Sequence, residues 1–193
     1  MTNRPLKEAV RNNIRNRLSQ LTDREKREQE TAICIRLLEC LPHHPTAICA
    51  YAPLSDEPDI SRVLAALLQR DIPLFLPRFD DQKVTFHRIT SLDALRPGTF
   101  GIAEPPRENP APDPMAISHV LVPGRAFDYH MNRLGRGKAG YDVWIRRQRK
   151  VHPKTQFWGI AFEEQIVDAV PVDGHDERMD RVITPAGNIG VLE

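Results

Sequence analysis

The chain has too few cysteines to be held together by disulfides. Cys34, Cys40 and Cys49 are odd in number and form no C-x-x-C pair, which fits buried thiols in a reducing compartment. It also has almost no net charge, +1 at pH 7, so the whole molecule is not a generic trap for nucleic acid. Anion binding must come from locally clustered Lys and Arg. No apolar run approaches the length of a membrane span. A G-x-S-x-G elbow and a legible Cys-His pairing are both missing, leaving covalent nucleophilic catalysis without support. His43 and His44 have no third ligand at a metal-binding spacing and read as loop residues. The run RRQRK, Arg146 to Lys150, has no interleaved aromatics. It reads as the solvated, dipole-compensating end of a helix, with a phosphate-rich ligand as the alternative and nucleic acid set aside. No internal repeat is present.

What is present fits one domain spanning residues 1–193, long enough to bury a substantial core. The amphipathic, basic N-terminus lacks the Ser enrichment of a transit peptide, carries Glu8 and reads as a structural helix. A cytoplasmic, monomeric protein with no membrane partner is expected. Leu6, Val10, Ile14 and Leu18 recur every four residues on one drifting helix face. Thr22 to Glu25 (TDRE) forms a capping box for a second helix that carries Ile33, Ile35, Leu37, Leu38 and Leu41 inward and stops at Pro42. TAICAYAPL (46–54) reads as a buried strand, DISRVLAALLQRD as a helix, and IPLFLPRF as a second apolar strand. KVTFHRIT alternates like a strand with one wet face. AISHVLVPGRAFD is another buried strand, DVWIRRQRK is helical, and FWGIAF and DRVIT are the last strand candidates. Strands alternating with helices predict an α/β fold, with a largely parallel sheet covered on both faces. The proline-rich stretch RPGTFGIAEPPRENPAPDPM is expected to be a long surface loop within the domain.

NRLGRGKAGYD, Asn132 to Asp142, has glycines spaced G-x-G-x-x-G. A dinucleotide fingerprint is excluded because the loop does not follow its strand directly, comes late in the chain and is cationic inside. A Walker loop is excluded because Ala139 follows Lys138. A phosphate cradle is still feasible. Glycines let backbone N–H groups approach an anion, the following helix adds its positive end, Arg136 forks two oxygens and Lys138 is a point charge. Asp142 is placed to hold magnesium through one oxygen. On residue types alone, this reading and a solvated Gly-rich turn are equally open.

Five segments in order along the chain, the fourth containing this loop, resemble the 5-formyltetrahydrofolate cyclo-ligase family: KEAVR, YAPLSDEPDI, FLPRF with GTFGIAEPP, VPGRAFDYHMNRLGRGKAGYD, and GIAFEEQIVDAVPVDGHDERMDRVIT. The resemblance implies a three-layer α/β/α fold. It also implies ATP- and magnesium-dependent conversion of 5-formyltetrahydrofolate to 5,10-methenyltetrahydrofolate, with release of ADP and phosphate. By position it implies ATP contacts from Lys7, Arg11 and the segment Arg133, Leu134, Gly135, Arg136, Gly137, Lys138, Ala139, Gly140 and Tyr141. Arg136 and Lys138 would offset charge during transfer, and Asp142 and Asp180 would share the magnesium. Ala52 and Glu57 would meet the folate, together with Arg136 to Gly140, and Phe79 and Phe100 would form an apolar wall. His175 would support Asp180. A polyglutamate tail would suit RRQRK. Where the family has Gly-Tyr-Tyr-Asp, this chain reads Ala139-Gly140-Tyr141-Asp142, either in place or with the glycine slipped by one. The alternative is a relative with a changed acceptor, or a folate- or nucleotide-binding protein without turnover.

Overall fold

The structure is a computed structural model that describes residues 3–80, 83–98, 101–137 and 140–190. Two helices precede the first strand. α1 (Arg4–Leu18) starts on Pro5, whose missing N–H costs nothing in a first turn. α2 (Asp23–Cys40) opens on the expected capping box: the Glu25 N–H donates to Thr22 Oγ1 (3.2 Å) and the Thr22 N–H donates to Glu25 Oε2 (2.8 Å). Then follow β1 (Ile48–Cys49), α3 (Ser61–Gln69), β2 (Leu74–Asp80) and β3 (Lys83–Ile89). The short pair β4 (Arg96–Pro97) and β5 (Ala103–Glu104) leads to β6 (His119–Pro123), β7 (Ala126–Asp128) and β8 (Arg133–Leu134). The chain closes with α4 (Gly140–Val151), β9 (Gln156–Ile160), β10 (Ile166–Val167), β11 (Arg181–Ile183) and β12 (Asn188–Gly190).

The main sheet has the order β12-β11-β9-β6-β1-β2-β3. The inner strands β11, β9, β6, β1 and β2 are mutually parallel, while β12 and β3 run antiparallel at the edges. The chain enters at β1, builds outward through β2 and β3, and then returns to β6 on the other side. The order therefore reverses between β1 and β6. Loops leaving the carboxyl ends of two such strands diverge and open a crevice.

Period-2 alternation sorts the core into two layers. Ile48, Leu74, Leu76, Leu121, Trp158 and Ile160 pack with Ile33 and Leu37 of α2 and Val63, Leu64 and Leu67 of α3. Cys49, Phe75, Val120, Val122, Phe157 and Val182 face the other way, toward Ile145 of α4. The result is the three-layer α/β/α arrangement. α1 stands apart, with Ile14 packed on Ala126, Leu134 and Val170 beside the small sheet β10-β7-β8. The Phe127 ring fills the space between Gly124 and Gly159, where a Cβ would come within 2.5 Å of it on either side.

Several local expectations shift. Leu6 and Ile35 are exposed, at 59% and 53%. Each four-residue step rotates a helix position by about 40°, so Leu6 has drifted off the Ile14 stripe, and Ile35 lies about 200° from Ile33. β1 is shorter than the apolar run that contains it. The Ala50 N–H still bonds the Phe75 carbonyl at 2.9 Å, after which Tyr51 and Ala52 leave the ladder as crevice wall. The proline-rich loop contains the β4–β5 pair and a 3-10 turn, Pro114–Ala116, opened by Asp113. Among the described residues no helix is long and apolar enough to cross a membrane.

Candidate active site

The crevice beyond the β1 and β6 ends is a cavity of about 700 Å³. Its apolar wall comes from Tyr51 and Leu54 after β1, Pro77 and Phe79 of β2, Ile102, and Tyr141 in the first turn of α4. The Phe79 and Tyr141 rings lie 6.2 Å apart at 57°. Tyr51 is buried and its hydroxyl donates to the Pro58 carbonyl at 2.8 Å. The Tyr141 hydroxyl is buried without a partner among the described residues, and desolvation drives its pKa up, so the phenol is neutral.

Glu57 sits at the inner edge of this wall and is only 6% exposed. One carboxylate oxygen accepts from the Leu54 N–H at 3.1 Å; the other accepts from Arg136 Nε at 3.1 Å and Nη2 at 2.9 Å. Arg136 also donates to Asp56, which is in turn paired with Arg125. Burial pushes the Asp56 carboxyl up, but Arg136 and Arg125 outweigh it and hold the group below its ordinary range.

The remaining walls are polar. Arg4, Lys7 and Arg11 reach in from α1. Arg11 Nε donates to the Gly135 carbonyl at 3.0 Å. Gly137 has φ 91°, a left-handed conformation that glycine adopts without strain, and Arg11 passes 3.4 Å from where its Cβ would be. Lys7 is buried, with Nζ 2.8 Å from Asp173 and 2.5 Å from Asp176. Desolvation pulls the Lys7 pKa down, yet these two carboxylates outweigh it and raise it overall. At the cavity floor, Arg133 pairs with Asp142 at 2.9 Å and donates to the Pro123 carbonyl at 3.2 Å, while its Nε has no partner among the described residues. The Arg133 guanidinium lies 5.6 Å from the Tyr141 ring centre. The second Asp142 oxygen accepts from the Glu177 N–H at 3.1 Å. α4 starts at Gly140, so its positive end opens directly onto this space.

Of the residues expected from sequence, Lys7, Arg11, Ala52, Glu57, Phe79, Arg133, Leu134, Gly135, Arg136, Gly137, Gly140, Tyr141 and Asp142 all line this one cavity. Phe100, Lys138 and Ala139 lie outside the described residues. Asp180 does not line it. Its oxygens accept from the Phe157 N–H at 2.7 Å and from Arg149 at 3.0 Å. Asp142 lines the cavity and Asp180 does not, and among the described residues no group of three or more His, Cys, Asp or Glu side chains is placed to hold a metal ion. His175 lies 3.9 Å from Asp176 at the cavity edge rather than against Asp180. In RRQRK, Arg146 and Arg149 are taken up by Glu177, which draws the patch into the fold. His43 and His44 are exposed.

Sequence reasoning missed Arg4, Tyr51, Asp56, Asp173 and Asp176. The dense carboxylates of DGHDERMD were the available signal for Asp173 and Asp176. Nothing local pointed to Lys7 as their partner.

Fold and cavity define an α/β enzyme whose site lies where the strand order reverses and joins a buried acid and an apolar wall to a cationic glycine loop. The model of the 5-formyltetrahydrofolate cyclo-ligase family matches residues 3–185. The 5-formyltetrahydrofolate cyclo-ligase of Mus musculus is 28% identical over 189 residues, covering 92% of each chain. That of Mycolicibacterium smegmatis is 30% identical over 151 residues, covering 75% of this chain and 76% of its own. The solved structure of a 5,10-methenyltetrahydrofolate synthetase from Aquifex aeolicus covers 97% of this chain and 94% of its own, with TM-score 0.80 and 27% identity. The chain belongs to the 5-formyltetrahydrofolate cyclo-ligase family and is an enzyme of that kind.

Proposed function

We propose that the protein converts 5-formyltetrahydrofolate to 5,10-methenyltetrahydrofolate at the expense of ATP, with magnesium, releasing ADP and phosphate. The observation that carries this reading is the joining, in one cavity, of buried Glu57 and its aromatic wall to the Arg133–Gly137 loop and the positive end of α4. A carboxylate beside an apolar slot suits a planar ring bearing N–H donors. Glycines beside a helix start suit a polyphosphate.

A formamide is a poor electrophile. Its oxygen attacks the terminal phosphorus and ADP leaves, making that oxygen part of a leaving group. N10 then attacks the activated carbon and loses its proton, the C–O bond breaks, and phosphate departs with the former formyl oxygen. Such transfer depends chiefly on alignment and charge neutralisation. Arg136, between the Glu57 side and the glycine loop, is the residue assigned to the charge that builds during transfer. Lys7 and Arg11 are assigned to the phosphates, with the undescribed Lys138 and Ala139 completing the loop. Lys7 makes that contact only by sharing its ammonium with Asp173 and Asp176.

Magnesium binds through one or two carboxylates and leaves the rest of its shell to phosphate and water. Asp142 fits, since it lines the cavity and each oxygen has a second lone pair beyond its present bond. Asp180, outside the cavity lining, is assigned as the second carboxylate, its oxygens likewise carrying one bond each, to Arg149 and to the Phe157 N–H. When bound, the metal would neutralise phosphate charge.

The test follows the near-ultraviolet absorbance of the methenyl product with purified protein, 5-formyltetrahydrofolate, magnesium and ATP. A rise that needs ATP, and that falls by about 100-fold or more in Arg136→Ala, supports the assignment. No rise, with nucleotide binding intact by calorimetry, defeats it in favour of a changed acceptor.

A further inference from the structure

Arg136 and Glu57 are both assigned to ligands, yet in this structure they are assigned to each other. Both Arg136 Nε and Nη2 point at a single Glu57 oxygen, and the other oxygen is committed to the Leu54 N–H. The Leu54 N–H leaves that second oxygen one further lone pair, whereas Arg136 takes both of the first oxygen's, so a ring that donates to both Glu57 oxygens competes with Arg136 at the first. Behind them stands Asp56, whose two oxygens are divided between Arg136 and Arg125. The four side chains form an alternating series, Arg125, Asp56, Arg136, Glu57, that is neutral as a whole. Its inner end, Glu57, is 7% exposed in its side chain, whereas Asp56 is 35% exposed. Water screens the outer pair far more than the inner one.

We infer that Asp56 is a positioning residue that, with Glu57, parks the Arg136 guanidinium away from the phosphates until the folate ring takes Glu57. This rests on the proposed function and adds an order of events to it. When the ring occupies Glu57, Arg136 retains only the partly exposed Asp56 pair, and the phosphate oxygens become its better partner. Each ligand thereby removes part of the cost of binding the other, and the effect is reciprocal because it is a coupling of binding free energies. A parked arginine also withholds charge neutralisation from ATP bound alone, which limits transfer to water.

The experiment measures binding of a non-hydrolysable imido analogue of ATP with magnesium by calorimetry, with and without saturating 5-formyltetrahydrofolate. The wild type, Asp56→Asn and Asp56→Glu are compared, and thermal melts check that each is folded. In the wild type the folate is expected to tighten analogue binding by about tenfold, within the ordinary range of such couplings. In Asp56→Asn the analogue alone should bind several-fold more tightly than to the wild type, and the folate enhancement should shrink to about threefold or less. Asp56→Glu, which keeps the charge, should return toward wild-type coupling. The inference is overturned if the wild type shows no enhancement, or if Asp56→Asn matches the wild type both with and without folate. It is equally overturned if Asp56→Asn and Asp56→Glu behave alike. Failure of the functional proposal looks different: the wild type would then show no calorimetric binding of 5-formyltetrahydrofolate, whether or not it binds the analogue.

Discussion

Replacing Asp142 with alanine should damage the fold before it reports on any metal. Its carboxylate is 11% exposed and lies 2.9 Å from an Arg133 guanidinium that is 3% exposed. Without it, Arg133 keeps the Pro123 carbonyl at 3.2 Å and an Nε that already has no partner among the described residues. Removing one member of a buried pair strands the other charge and costs about 3–5 kcal/mol. The Glu177 N–H also loses its acceptor, although the two losses share Asp142 and do not simply add. Against a domain stability of about 5–15 kcal/mol this is a large share, and it lowers the melting temperature by about 6–20 °C. Urea unfolding followed by the fluorescence of Trp144 and Trp158 measures it. The pair makes a second demand: Arg133→Met combined with Asp142→Leu should be closer to the wild type than either single change, because no charge is left stranded. A loss under about 1 kcal/mol in Asp142→Ala, or a double variant as unstable as the sum of the singles, would refute the reasoning. Lost turnover in Asp142→Ala is therefore evidence about magnesium only in a sample shown to be folded.

Three other outcomes follow from particular contacts. Tyr51→Phe should cost about 1–2 kcal/mol in urea unfolding, because its buried hydroxyl bonds the Pro58 carbonyl, whereas Tyr141→Phe should be near neutral, because its hydroxyl has no partner to lose among the described residues. Gly159→Ala should cost about 1–3 kcal/mol by forcing a methyl to within 2.5 Å of the Phe127 ring, visible as a lower melting temperature. Burial, with Arg181 adding to it, holds the His119 imidazole down to about 4 against an ordinary 6.5. The unfolded chain then binds more protons between these values, so stability should fall as the pH drops from about 6.5 toward 4. His119→Leu should flatten that part of the urea-midpoint profile, and an unchanged slope would reject His119 as its source.

The elements legible in the sequence were those written in short-range terms. The capping box Thr22–Glu25 is a four-residue pattern and forms as read. The alternation in KVTFHRIT gives a strand with alternating burial. The apolar run 46–54 foretold burial but not strand length, since hydrophobicity cannot say where a ladder partner ends. The family motifs led to thirteen residues that line one cavity, Lys7 through Asp142. Periodicity failed at Ile35 and Leu6 because counting apolar residues does not measure their angle about the helix axis.

The sequence alone determined the alternation of helices and strands, the near-neutral charge and the cationic glycine loop, because each is a property of neighbours along the chain. Only the tertiary structure decided which charges face one another. Lys7 meets Asp176 from 169 positions away, and Arg136 meets Glu57 from 79. Asp180 spends its carboxylate on Phe157 and Arg149, outside the cavity. The Arg136–Glu57 pairing depends on the reversal of strand order between β1 and β6, which brings the segments that follow those two strands to one crevice. Long-range geometry of that kind has no local signature, and it decides whether a charge is free for a ligand or already held by the protein.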